Sequence, residues 1–225
     1  MMKISRYFDA AVLKPEMTRE EARAAIQASI DADSYSVCVR GCDIEMAVEM
    51  CRGTNTIVSC VLDFPYGYGG AVGKRALAKV YCLEGAKELD MVMNYGYARG
   101  GDWDAVEAEI RGVVEEAHAA GALVKVIFET SQLTLDEVRL ATETSIRAGA
   151  DFVKTSTGFN GAGATPEAVK VMLDTAAGRA KVKPSGGIRD YATAKMYVDM
   201  GAQRLGIGYA SAAAIARGEG TDENY

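Results

Sequence analysis

The stretch "DFVKTSTGF" (151–159) has the apolar, β-branched character of a buried strand, yet Lys154 stands near its centre. Lysine is among the side chains least often fully buried, because its ammonium loses hydration there. Lys125 in "VKVIFET" and Lys183 in "VKPSGGIRD" occupy comparable places in two other apolar runs. Asp90 in "LDMVMNYG" puts a carboxylate into a fourth run; Asn94 follows it by four residues, as Glu129 follows Lys125. Even spacing keeps each such pair on one face of its strand. One such lysine is most simply half of an ion pair filling an apolar interior. Three together fit that account poorly, because a buried ion pair rarely repays its desolvation where apolar packing would serve. Neighbouring ammonium groups disfavour each other's charged form, as burial does. A neutral amine near pH 7 attacks carbonyls and forms a Schiff base. The expectation is therefore Lys154 as nucleophile, Lys183 as the group that perturbs it, and Asp90 as a proton-relay partner to Lys183.

These residues must be positioned by the elements around them. Short apolar runs alternate eight times with amphipathic segments. Strands are predicted at 7–13, 34–39, 56–63, 88–94, 123–129, 151–156, 181–186 and 204–208. Helices are predicted at 18–32, 102–122, 133–150 and 165–178, among others. Thr18 with Glu21 three residues on has capping-box spacing, and Thr165 precedes Pro166 at a helix start. Four segments end in Gly-Ala before a strand, at Gly85, Gly121, Gly149 and Gly201, where glycine supplies a left-handed stop. Such alternation implies parallel strands. The predicted fold is a single α/β domain, a (β/α)8 TIM barrel over residues 1–217, with a polar tail at 218–225. An open doubly wound sheet would show a glycine-rich loop after its first strand, and "VLKPEMT" is not one. In a barrel, functional residues gather at the C-terminal ends of the strands.

Composition narrows the function. A net charge of −6 and a pI near 5.0 leave no basic stripe for nucleic acid. No apolar run reaches the roughly 18 residues a membrane span needs, and no secretory signal opens the chain, so a cytoplasmic protein is expected. The five cysteines then read as reduced thiols. They share no metal-binding spacing with the single histidine, His118, so neither metal nor cofactor is expected.

Taken together, "DFVKTSTGF", "VKPSGGIRD", "LDMVMNYG", "VKVIFET" and "FDAAVLKPEMT" resemble the deoxyribose-phosphate aldolase family, in order from about residue 8 to 190. The resemblance implies a class I aldolase: an imine on Lys154, Lys183 holding down its basicity, and Asp90 relaying a proton through water. The implied reaction is reversible cleavage of 2-deoxyribose 5-phosphate to acetaldehyde and glyceraldehyde 3-phosphate. Gly186 and Gly187 match the family's phosphate cradle. Substrate contacts are further expected from Asp9, Lys125, Thr155 and Gly208, and Tyr225 could reach the site from the tail.

The departures from the family pattern lie on the acceptor side. Ala10 and Ala11 replace a usual polar pair, Gly208 and Tyr209 stand where serines are usual, and Ser211 lies further along the chain. Arg40 is an added cation, which could grip a carboxylate in place of a phosphate. The alternatives are thus an unphosphorylated or carboxylate-bearing acceptor, or a non-catalytic binding barrel. The last would be expected to lack Lys154, Lys183 or Asp90. A small aldehyde or sugar is the expected partner, and an apolar helix at 192–200 fits a homodimer. The tyrosine-rich "FPYGYGG" (64–70) is either a lid or a packed turn.

Overall fold

The protein is described here by a computed structural model covering residues 3–218. Among the described residues, eight strands alternate with helices. The first half runs β1 (Phe8–Val12), α1 (Arg19–Asp31), β2 (Ser36–Val39), α2 (Ile44–Cys51), β3 (Ile57–Leu62), α3 (Ala71–Leu83) and β4 (Glu88–Val92). Then come α4 (Tyr95–Arg99), α5 (Trp103–Ala119), β5 (Leu123–Ile127), α6 (Leu135–Arg147) and β6 (Phe152–Lys154). The chain finishes with α7 (Pro166–Ala176), β7 (Lys181–Lys183), α8 (Tyr191–Asp199), β8 (Leu205–Gly208) and α9 (Tyr209–Ala216). Tyr225 lies outside the described residues.

Each ladder is parallel, and β1 pairs with both β2 and β8. A bridge between Ser185 and Gly206 closes β7 onto β8, with the Gly206 N–H donating to the Pro184 carbonyl at 2.8 Å. This is the (β/α)8 barrel.

All eight predicted strands are present, each trimmed at one or both ends. β7 stops at Lys183 because Pro184 has no N–H for a ladder. Gly186 and Gly187 then turn the chain at φ 85° and 77°, outside the range of a strand. The helix starts are the predicted ones: Thr18 and Glu21 exchange bonds in a full capping box, and Thr165 caps α7 just before Pro166. Gly85, Gly121, Gly149 and Gly201 all take positive φ, between 73° and 109°. The short α4 had no counterpart among the predicted helices.

Strand alternation sorts the side chains into two compartments. Val37, Leu89, Met91, Val124, Val126, Val153 and Val182 belong to the main apolar core shared with the helices. Each such burial contributes about 1.5–3 kcal/mol. Their strand neighbours Asp9, Ser36, Asp90, Lys125, Lys154 and Lys183 hydrogen-bond among themselves or to other charged residues inside the barrel. The charges therefore sit in the lumen.

Residues 64–70 form a braced turn. The ammonium of Lys74, fully buried on α3, donates to the Gly67 carbonyl at 2.8 Å and pairs with Glu109 of α5 at 2.8 Å. Asp63 accepts from the Gly69 N–H at 2.8 Å, and Tyr66 stacks on Tyr68.

Candidate active site

Seven charged side chains meet inside the barrel. Asp90 of β4 is the hub: Lys125 reaches its Oδ1 at 2.7 Å, while Lys154 and Lys183 share its Oδ2 at 2.8 and 2.7 Å. Lys183 also donates to Asp9 of β1. Lys125 pairs with Glu88 at 2.6 Å and with Asp9 at 3.3 Å. Arg204, just before β8, bridges Asp9 at 2.6 Å and Glu88 at 2.8 Å. Its guanidinium lies 3.7 Å from the centre of the Tyr35 ring, which suits a weakly hydrated planar cation.

The electrostatics follow from this wiring. Burial pushes the Asp90 carboxyl up, but Lys125, Lys154 and Lys183 outweigh it and hold that carboxyl well below the usual range. Burial likewise opposes the charge on Asp9, and Arg204, Lys125 and Lys183 overcome it. The Lys125 ammonium is disfavoured by burial yet stabilised further by Asp9, Asp90 and Glu88, so its affinity for its proton is raised. Fully protonated, the cluster has four cations against three carboxylates. Lys125, Lys183 and Arg204 each touch two or three carboxylates, whereas Lys154 touches Asp90 alone. Lys154 therefore makes the fewest ion pairs of the four cations, and it sits at the C-terminal end of β6.

Two residues of the cluster were not singled out from the sequence. Glu88 precedes Asp90 by two positions, so period-two spacing puts both on one face. Arg204 carries no such local signal, since its carboxylate partners lie 116 and 195 residues away.

The expected substrate contacts divide. Gly186, Gly187 and Gly208 line one cavity of about 520 Å³ together with Gly158, Gly163 and Ser211. Ser211 thus reaches this cavity despite its later position, because α9 begins directly at the end of β8. Gly163 packs directly on the Gly186 backbone, where a Cβ would overlap it. The N-terminus of α9 has no side-chain cap; the first N–H groups of a helix suit an anion.

The other four residues expected at the substrate are placed as follows. Asp9 and Lys125 are 1% and 0% exposed and belong to the ion cluster. The Thr155 hydroxyl donates to the Ser185 carbonyl at 3.1 Å and accepts from the Ser185 N–H at 3.0 Å, tying β6 to the loop after β7. Arg40 is a loop clamp: its Nε bonds Asp43 at 2.7 Å, and one terminal nitrogen donates to the carbonyls of Lys14, Pro15 and Met17.

Glu129 braces the loop after Lys154. It is buried at φ 57°, and Thr157 donates to it through both N–H and hydroxyl. Burial pushes the Glu129 carboxyl up, against those hydrogen bonds.

Residues 7–215 match the model of the DeoC/LacD family of aldolases. The chain belongs to that family. It is 42% identical to the deoxyribose-phosphate aldolase of Streptococcus gordonii and 40% identical to that of an Exiguobacterium species, covering all of both chains in each case. The deoxyribose phosphate aldolase of Aeropyrum pernix, described as a unique tetramer, superposes with a TM-score of 0.87 at 29% identity. That match covers 95% of this chain and 89% of the other. The chain is an aldolase, an aldehyde-lyase of the imine-forming class. None of this aldolase's described helices is long and apolar enough to cross a membrane.

Proposed function

We propose that this aldolase cleaves 2-deoxyribose 5-phosphate to acetaldehyde and glyceraldehyde 3-phosphate through an imine on Lys154. The observation that carries this is the surplus positive charge of the buried cluster, relieved when Lys154 gives up its proton. Neutral Nζ attacks the C1 aldehyde, and the carbinolamine takes up one proton and loses water, giving an iminium. The iminium draws electrons from the C2–C3 bond as the C3 hydroxyl loses its proton, and glyceraldehyde 3-phosphate departs. The remaining enamine takes a proton at C2, and water hydrolyses the imine to release acetaldehyde. Asp90 Oδ2, shared by Lys154 and Lys183, holds both nitrogens in register and passes protons to water at the reacting carbons. The phosphate lies against Gly186, Gly187, Gly208, Ser211 and the α9 N-terminus.

The acidic composition and the five unpaired cysteines suit a cytoplasmic enzyme of a small sugar phosphate. On α8, Tyr191 and Met196 stay more than a third exposed, an apolar surface for self-association.

The test compares kcat/KM for 2-deoxyribose 5-phosphate and for 2-deoxyribose, read as acetaldehyde released. Two charge-assisted hydrogen bonds to phosphate predict a preference of about a thousandfold. Equal efficiency would remove the phosphate from the proposal and favour an unphosphorylated acceptor.

Lys183→Leu tests the charge argument. Without Lys183, three cations face three carboxylates, so the cluster is balanced with Lys154 still protonated. The pH at which borohydride traps half-maximal acetaldehyde adduct should rise. An unchanged profile would show that Lys183 does not tune the nucleophile.

A further inference from the structure

Glu129 carries two costs that the imine chemistry does not explain. Its side chain is fully buried, and burying a carboxyl is unfavourable unless it is bonded. Its backbone holds φ 57° and ψ 62°, the left-handed region that a residue with a Cβ enters only under constraint. Such strain persists where the surrounding structure fixes it, and it gathers at functional sites.

Both features serve the loop that follows β6. The ladder between β5 and β6 runs on past the strands: the Phe128 N–H donates to the Lys154 carbonyl and the Thr130 N–H to the Thr155 carbonyl, each at 3.0 Å. Beyond Thr155 the Glu129 side chain takes over. Its Oε1 accepts from the Thr157 N–H at 3.3 Å and its Oε2 from the Thr157 hydroxyl. That hydroxyl in turn accepts from the Phe159 N–H at 3.0 Å. The left-handed turn also starts the 3-10 turn Thr130–Gln132, in which the Ser131 hydroxyl donates to the Asn160 carbonyl at 2.9 Å.

The loop held in this way is a wall of the glycine-lined cavity, which Gly158, Phe159, Gly161 and Gly163 share with Gly186 and Gly187. Glycines at 158, 161 and 163 give the segment more conformational freedom than other residues would. Its far end is fixed by the Ala164 N–H, which donates to the Ser185 and Gly186 carbonyls at 3.0 and 3.1 Å. Its near end is fixed by the chain of bonds from Glu129 through Thr157 to Phe159.

We propose that Glu129 is a positioning residue for the substrate's phosphate, acting through Thr157 to hold this wall in its binding shape. The inference rests on the reading that seats the phosphate in the glycine-lined cavity. Glu129 does not touch the anion. It removes in advance the ordering cost that binding would otherwise meet.

The experiment compares kcat and KM for 2-deoxyribose 5-phosphate and 2-deoxyribose in the intact protein and three variants. Glycine takes the left-handed backbone without steric penalty, so Glu129→Gly removes the carboxyl and keeps the turn that places Ser131. Its preference for the phosphorylated sugar should fall by about tenfold or more, as loss of the bonds that order the wall predicts. The fall should appear in KM for 2-deoxyribose 5-phosphate, with kcat changed by no more than about twofold and Lys154 still trapped by acetaldehyde and borohydride. Thr157→Val removes the hydroxyl that joins Glu129 to Phe159 and should lose the same preference, whereas Thr157→Ser should restore it. In the double variant Glu129→Gly with Thr157→Val the losses should not add, since both break one chain. A preference unchanged in Glu129→Gly and Thr157→Val refutes the inference. So does an equal loss on both sugars, which would make Glu129 a support of the whole barrel. If Glu129→Gly does not fold, the Thr157 pair decides. A wild type with no preference for the phosphorylated sugar would overturn the phosphate reading itself, and this inference with it.

Discussion

Lys154→Leu should abolish the borohydride-trapped acetaldehyde adduct and lower kcat/KM by on the order of 10⁴-fold or more, as loss of a covalent nucleophile does. The barrel should fold as well as before. Removing this one cation leaves Lys125, Lys183 and Arg204 facing Asp9, Glu88 and Asp90, so no buried carboxylate is stranded. The leucine occupies a position only 4% exposed, where its apolar surface is favoured. Activity and stability are therefore expected to part company: the urea midpoint holds or rises while the chemistry is lost. A purely structural lysine would show the reverse. An adduct surviving at full yield would place the imine on another amine.

The barrel was legible because its signals are local. Thr18 and Glu21 sit within one helical turn, and Thr165 stands directly before Pro166; the predicted seventh strand nonetheless ran on through Pro184, which ends β7 by lacking an N–H. The reactive centre was legible for a different reason. Lys125, Lys154 and Lys183 are conspicuous in apolar strands, and parallel pairing sets Asp90 beside Lys125 and Lys154 beside Lys183. Arg204 stayed hidden because its role depends on closure of β8 onto β1, a contact that no stretch of sequence near it encodes. Lys74 was hidden by its setting: a lysine in "AVGKRALAKVYCL" looks like part of a solvated helix face. The turn at 63–70 and Glu109 cover it only once α3 packs on α5. Arg40 was open to two readings, because an arginine at a strand end suits a ligand or a neighbouring loop equally well. The carbonyls of Lys14, Pro15 and Met17 take one of its terminal nitrogens. Ser211 misled through distance along the chain, which the immediate start of α9 shortens in space.

Asp90→Asn should have the opposite signature to Lys154→Leu. The amide keeps the shape but removes the charge that three lysines share, leaving Asp9 and Glu88 against four buried cations. Breaking a buried pair on one side costs roughly 3–5 kcal/mol, so the urea midpoint at pH 7 should fall steeply. Catalysis should fail too, since the oxygen between Lys154 and Lys183 no longer accepts as a carboxylate. The pH dependence separates a charge effect from lost packing. In the folded protein the Asp90 carboxyl is held well below its ordinary range, against about 3.9 for an unfolded aspartate. Its stabilisation is therefore complete above that unfolded value and disappears as pH falls through the folded one. The stability gap between the wild type and Asp90→Asn should stay level from about pH 8 to pH 5 and narrow only in stronger acid. Adding Lys125→Met should recover part of the loss, since the two groups touch at 2.7 Å and their effects couple. A gap that ignores pH and is not relieved by Lys125→Met would mean that shape, not charge, is what Asp90 supplies to the barrel.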